Sequence, residues 1–296
     1  MNRYIIDEGY GMSRQIRNVL LIVNMLKKDA QPMIDVISRY LSDRNIKVDV
    51  FGFKGKTEEP QIKQKYDLAV SLGGDGTVLF SSRVVASEKI PILAVNLGNF
   101  GFITEVSMDE WKEVLEGYLD GKLGEDRRLI LEASVTRNGH NIGVYRGMND
   151  AVISSAGLSK IVRLSVSLDE TPVGRYRADG IIVSTPTGST AYSAAAGGPI
   201  LHPEMEAMII NPICPFTLSH RPFVIPGSEV INIELEEEQR TEVIITVDGQ
   251  QMVRLEPKDL ICIRRAEDKV RLVRSDKRSF YEVLRTKLNW SGGPNA

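Results

Sequence analysis

The sequence predicts an α/β protein in two parts, an N-terminal Rossmann-like, doubly wound domain and a C-terminal all-β, sandwich-like domain, with the last helix returning to the first domain. Three observations carry this reading. Short, almost wholly apolar runs alternate with helical periodicity at the start, period-2 alternation with turn residues follows, and a helical stripe closes the chain. The expected boundaries are residues 1–125, completed by 276–296, and 126–275.

NVLLIVNM (18–25) is an apolar run of the kind buried on both faces of a parallel sheet. A helix follows, because Met33, Ile34, Ile37, Tyr40 and Leu41 recur at helical spacing; KVDVFGF then alternates as a strand. DLAVSL (67–72) is the next strand, with a helix beginning near Thr77, and PILAVNLG (91–98) is another. A helix from Ser107 is marked by the capping-box spacing of Ser107 and Glu110, by the stripe Trp111, Val114, Leu115, Tyr118 and Leu119, and by Gly121 at its end. Beyond it, two strands flank an Asn138-Gly139 turn, and further alternating runs extend the all-β part. In the tail, Phe280, Val283, Leu284 and Leu288 share one helical face that needs somewhere to pack.

With 296 residues and a formal charge of −2, the chain has room for two cores and no electrostatic case for a nucleic-acid or membrane partner. No apolar stretch is long enough to span a bilayer, and the first residues carry acids where a signal peptide has an apolar core, so a cytoplasmic protein is expected. Cys214 and Cys262, in apolar surroundings and far apart, read as buried structural thiols. His140, His202 and His220 share no spacing that would assemble a metal site.

In DLAVSLGGDGTVLFSS (67–82), Gly73, Gly74 and Gly76 follow a buried strand and precede a helix, at the sheet edge where such folds bind ligands. Bare amides at a helix N-terminus favour anions, yet the pattern is neither G-x-G-x-x-G nor a Walker loop. Gly-Asp-Gly is also ordinary turn chemistry. Three glycines in four residues exceed one turn's needs, and Asp75 among them makes sense as a proton acceptor or metal neighbour. NLGNFGFITEV (96–106) repeats the device with Gly98 and Gly101, either as a ligand loop or as a turn with Phe100 and Phe102 in the core.

Asn149 and Asp150 precede a strand and form a common turn pair; facing a ligand, Asp150 would accept two ribose hydroxyls. RADGIIVSTPTGSTAYSAAAGGPIL (177–201) gathers the hydroxyls of Ser184, Thr185, Thr187, Ser189, Thr190 and Ser193 with Tyr192 and several glycines, which favours a backbone packed closely on something flat. TVDGQQM (246–252) is explained by a hairpin turn at Asp248-Gly249.

Taken together and in order, GGDGT, NLGNFGF, the Asn-Asp pair, DGIIVSTPTGSTAYS and GGPI resemble the NAD kinase (ATP-NAD kinase) family from about residue 18 to the end. The resemblance implies a cytosolic phosphotransferase that carries the terminal phosphoryl of ATP, with a divalent metal such as Mg2+, to the 2′-hydroxyl of the adenosine ribose of NAD, giving NADP. It also implies a homodimer or homotetramer. By this resemblance Asp75 is the proton acceptor and Gly76, with Gly73 and Gly74, touches the nucleotide. Asn149 and Asp150 match the pair that binds the nicotinamide side and ribose hydroxyls, and Thr190, Ala191, Tyr192 and Ser193 match the adenine-binding TAYS. Asp179, Lys160, Arg177 and Gln250 match further ligand positions. Two departures stand out: GNFGFI replaces the commoner GTLGFL, and Phe216 stands where the family has a histidine. A lipid or sugar kinase sharing GGDGT, and a nucleotide-binding regulator without turnover, are the alternatives.

Overall fold

In the computed structural model of the chain, the structure describes residues 14–55, 58–62, 64–157, 161–217 and 219–290. Internal contacts divide it into two units, one running to Arg127 and resuming at Val270, the other Arg128–Lys269.

The first unit is built on four parallel strands: β1 (Asn18–Asn24), β2 (Lys47–Phe53), β3 (Leu68–Gly73) and β4 (Ile92–Asn96), in the order β2-β1-β3-β4. Helices α1 (Ala30–Ser42) and α3 (Trp111–Leu119) cover one face, where Ile37, Leu41, Trp111 and Val114 pack with Val19, Leu21, Val70 and Leu72. Helix α2 (Asp75–Val85) lies on the other face, and there Ser81 Oγ donates to Ser71 Oγ at 3.1 Å. Both faces of β3 and β4 are therefore buried, which is why these strands read as unbroken apolar runs.

Helix α2 begins two residues earlier than its periodicity implies. Gly74 is the extended residue at its start, and Asp75 sits in the first turn, where the helix dipole favours a negative charge. Helix α3 begins later, at Trp111; the Ser107–Glu110 segment forms a preceding turn in which Ser107 N donates to Glu110 Oε2 at 2.9 Å. Gly121, at φ +72°, ends that helix as its sequence position implies.

The second unit is all-β apart from short helical turns. Its strands are β5 (Glu125–Arg137), which enters from the first unit, then β6 (His140–Gly147), β7 (Asp150–Ser155), β8 (Val162–Leu168), β9 (Thr171–Ala178) and β10 (Gly180–Ser184). After the short helix α4 (Tyr192–Ala195) come β11 (Ala207–Ile213), β12 (Phe223–Pro226), β13 (Ile231–Leu235), β14 (Val243–Val247), β15 (Gln251–Leu255) and β16 (Leu260–Val273). One antiparallel sheet runs β12-β11-β10-β7-β14-β15. The other sheet of this unit joins β9, β8, β13 and β16, with β5 and β6 beside β16.

Alternate residues of both sheets meet in one core, with Leu131, Ala133, Leu164, Val166, Ile231 and Ile233 from one sheet and Ile153, Ile181, Val183, Ile210 and Ile245 from the other. Each Leu, Ile or Val side chain among them contributes roughly 1.5–3 kcal/mol through its burial. This is the sandwich that the alternation predicts, and the Asn138-Gly139 turn adopts the positive φ of 50° and 79° that a tight hairpin requires.

Strand β16 carries the chain back to the first unit, where Leu272 pairs in parallel with Ile92 of β4. The closing helix α5 (Phe280–Lys287) is capped by Ser279 and Glu282, and it buries Val283 and Leu284 while Leu288 stays exposed. The cysteines depart from expectation. Cys214 is exposed and Cys262 half-buried, because Cys214 lies just past the end of β11 at φ +46° and Cys262 alternates with the core residues Ile261 and Ile263.

Candidate active site

In the first unit the carboxyl ends of β3 and β4 lie side by side, with Gly73 paired to Asn96, so the loops that follow them are neighbours. Asp75 reaches from one loop to the other. Its Oδ2 accepts from Phe102 N at 2.8 Å; its Oδ1 accepts from Ile103 N at 3.2 Å, Thr104 N at 3.0 Å and Thr104 Oγ1 at 2.8 Å. Asn96 closes the base of the second loop by donating to Asn99 O at 2.7 Å and to Thr104 Oγ1 at 2.8 Å.

The glycines have separate tasks. A side chain on Gly101 would overlap the Asp75 carboxylate, and one on Gly73 would overlap Thr77. Gly74 has open space at the helix start. Phe100 and Phe102 are half-exposed rather than core. The ammonium of Lys27, in the loop after β1, stands 3.8 Å from where a side chain on Gly98 would begin.

In the second unit Asp248 does for one loop what Asp75 does for another. Its carboxylate accepts from Met148 N at 3.0 Å, Asn149 N at 2.8 Å and Asp150 N at 3.2 Å. The hydroxyl-rich loop after β10 is stitched to the same segment: Thr185 N donates to Asn149 O at 2.9 Å and Thr185 Oγ1 to Met148 O at 2.6 Å. Gly188 lies so close to the Asn149 backbone that no larger residue fits.

Two polar atoms in this corner, Asn149 Oδ1 and Thr187 Oγ1, are buried and lack partners among the described residues, and the side chain of Asp150 is buried beside them. Burial, with the neighbouring Asp248 charge second, pushes the Asp150 carboxyl up to about 7. Buried groups of this kind are costly unless something satisfies them.

A family model described as the ATP-NAD kinase N-terminal domain matches residues 52–123, and one described as the ATP-NAD kinase C-terminal domain matches 148–275. The chain belongs to the ATP-NAD kinase family. An NAD kinase of Treponema denticola is 42% identical over 277 residues, covering 94% of this chain and 98% of that protein. One of Geobacter sulfurreducens is 45% identical over 224 residues, covering 76% and 78%. An NAD kinase from Archaeoglobus fulgidus, solved in complex with ATP, has a TM-score of 0.72 at 25% identity over 94% of this chain and all of that one. Yeast NADH kinase complexed with NADH shares the fold, with a TM-score of 0.85 at 24% identity over 94% and 89% of the two chains. The lipid- or sugar-kinase alternative and the regulator without turnover are not favoured by these matches.

Measured against ATP-NAD kinase expectations, Asn149, Asp150 and the STPTGSTAYS loop come together, while other positions stand differently. Lys160 lies outside the described residues. Arg177 and Asp179 are exposed; the Arg177 guanidinium lies 5.1 Å from the Phe216 ring centre, so the residue replacing the family's histidine covers a basic side chain. Tyr192 is 49% exposed, so its ring faces outward from the loop. Thr190 Oγ1 donates to Thr187 O at 3.2 Å, and Ala191 N to Gly188 O at 2.9 Å. Ser193 is fully buried, and Asn211 Nδ2 donates to its carbonyl at 2.9 Å, so it shapes the loop from beneath. Gln250 follows Asp248 and Gly249, whose φ of 52° and 63° make the hairpin turn.

Thr187 is expected only as one hydroxyl among six in its loop, and Asp248 only as a turn residue. A hydroxyl two residues before Ser189 carries no signal of its burial, and Asp-Gly in a hairpin is fully explained by turn chemistry. Among the described residues no group of three or more His, Cys, Asp or Glu side chains is placed to hold a metal ion, so these residues do not themselves fit a metal centre.

Proposed function

We propose that the chain is an NAD kinase that transfers the terminal phosphoryl of ATP to the 2′-hydroxyl of the adenosine ribose of NAD. The observation that carries this reading is the pair of buried, unpartnered oxygens Asn149 Oδ1 and Thr187 Oγ1 beside the buried Asp150, within the segment matched to the family's C-terminal domain. An amide oxygen, a hydroxyl and a carboxylate together are suited to ribose hydroxyls and an amide or amino group. Asn149 and Asp150 hold the nucleotide there, Thr190, Ala191 and Tyr192 take the adenine on the loop that Ser193 supports, and Asp179, Lys160, Arg177 and Gln250 are outer contacts.

In the reaction the 2′-oxygen bonds to the γ-phosphorus as the bridge to the β-phosphate breaks, ADP leaves, and the hydroxyl proton passes to Asp75. Its geometry supports that task. Oδ1 is engaged by three donors but Oδ2 by only one, so Oδ2 retains acceptor capacity for a hydroxyl. A carboxylate is a weak base for a hydroxyl and accepts the proton late, as the hydroxyl becomes acidic in the transition state. Gly73, Gly74 and Gly76 offer backbone to the phosphates, with Lys27 as a nearby cation; ATP enters as its magnesium complex, the metal being held chiefly by its phosphates.

The resemblance further supports a cytoplasmic homodimer or homotetramer. No helix among the described residues is long and apolar enough to cross a membrane. Incubation with ATP, magnesium and NAD, read by an NADP-specific dehydrogenase, tests the activity: NADP must accumulate only with all three present. NAD left unphosphorylated would overturn the reading.

A further inference from the structure

The Asp75 carboxylate is aimed by the 98–104 loop, whose end is buried at Ile103 and Thr104 while its leading residues 98–102 are exposed or half-exposed. Two of its residues are glycines, and its two phenylalanines are only half-buried. Ordering such a segment costs roughly 1–2 kcal/mol per residue in backbone entropy, so something outside the loop must hold it.

Arg278, just ahead of α5, makes contact on both of its flanks. On the leading side its guanidinium lies over the Phe100 ring, 4.1 Å from the ring centre. On the trailing side Nη1 donates to Glu105 O at 2.8 Å. The guanidinium is itself fixed by Glu110, with Nη1 to Oε2 at 2.9 Å and Nη2 to Oε1 at 3.0 Å, and Glu110 also accepts from Ser107 N at 2.9 Å. Between the two clamped flanks lie Phe102, Ile103 and Thr104, the three residues whose amides hold Asp75.

We propose that Arg278 is a positioning residue for phosphoryl transfer: by clamping Phe100 and Glu105 it fixes the amides of residues 102–104, and through them the direction of Asp75 Oδ2. The role rests on the reading of Asp75 as proton acceptor. It requires arginine specifically, because one planar group must stack on a ring while donating in its own plane to a carbonyl and a carboxylate. Lysine has the charge without the fork.

The test uses the full chain with Arg278→Met, Arg278→Lys and Phe100→Leu, the last removing the ring contact from the loop's side. Displacing a reacting group by about 1 Å costs up to about a hundredfold in rate, so Arg278→Met is expected to lower kcat about ten- to a hundredfold. Both KM values stay within about twofold, because substrate binding is left in place. Hydrogen exchange at the amides of 102–104 speeds up in parallel, Phe100→Leu moves both readouts in the same direction, and Arg278→Lys recovers only part of kcat.

Faster exchange with unchanged kcat would overturn the proposal, as would a lowered kcat with unchanged exchange. If Arg278→Met does not fold, Phe100→Leu decides by the same two readouts. A wild-type chain that makes no NADP would remove the assigned function and the role of Arg278 with it, whereas an active wild type with unaltered variants removes the role alone.

Discussion

The glycine loop of the first unit and the Asp150 corner of the second solve one problem in two ways. In each, an aspartate holds a neighbouring loop by accepting three successive backbone amides, Asp75 those of 102–104 and Asp248 those of 148–150. In the first unit the acid that ties the loop is also the acid assigned to the chemistry. In the second the duties are divided: Asp248 ties, and Asp150 lies buried beside it. Asp75 is partly exposed, whereas Asp150 is deeply buried, where an ionised carboxylate is costly unless something satisfies it.

The strongest test of that contrast is at Asp75. Asp75→Asn keeps an oxygen for Ile103 and Thr104 but loses the second acceptor, so turnover should fall about a hundred- to ten-thousandfold while NAD still binds. Calorimetric titration alongside steady-state rates reads both, and full activity would remove Asp75 from proton transfer. At Asp248 the expected loss is structural. Asp248→Ala strips three amides of their acceptor and should lower stability by about 3 kcal/mol, seen as an earlier denaturant midpoint. An unchanged midpoint would mean that the segment 148–150 is held by its strand pairing alone.

A smaller effect separates Asp150 from both. Its carboxyl is pushed up to about 7, above its unfolded value, so the fold favours the neutral form. The stability this contributes is fully present below the ordinary carboxylate range and is lost as pH rises through about 7. Ribose binding has the opposite sign, since the carboxylate accepts hydroxyl hydrogens only when ionised. The dissociation constant for NAD should therefore rise about tenfold from pH 8 to pH 6, and Asp150→Asn should flatten that dependence. A pH-independent constant in the wild type would place the nucleotide elsewhere. Smallest of all, Tyr192→Ala should weaken NAD binding about three- to tenfold, an exposed ring contributing roughly 1 kcal/mol of stacking; an unchanged constant excludes the ring from the site.

Much of this was legible before any coordinates. The strands β1, β3 and β4 announce themselves because burial on both faces demands continuous apolar runs, and α1 and α3 because burial on one face leaves a stripe. The glycine loop was legible as unusual because an acid amid bare backbone has few structural reasons. Cys214 was misread for the converse reason: an apolar neighbourhood in sequence does not bury a residue that lies beyond its strand in a left-handed conformation.

By itself the sequence determined the two-part architecture, the family, and the positions at which chemistry is offered, since periodicity, turn residues and motif spacing are local properties. Only the tertiary structure decided which groups are satisfied and which are left wanting. That Asp248 serves the amides of 148–150, that Asp75 Oδ1 is engaged by three donors and Oδ2 by one, and that Arg278 reaches Phe100 and Glu105 are contacts across large separations in the chain. Hydrogen bonding and burial depend on what lies opposite a residue in space, and no periodicity along the chain encodes that.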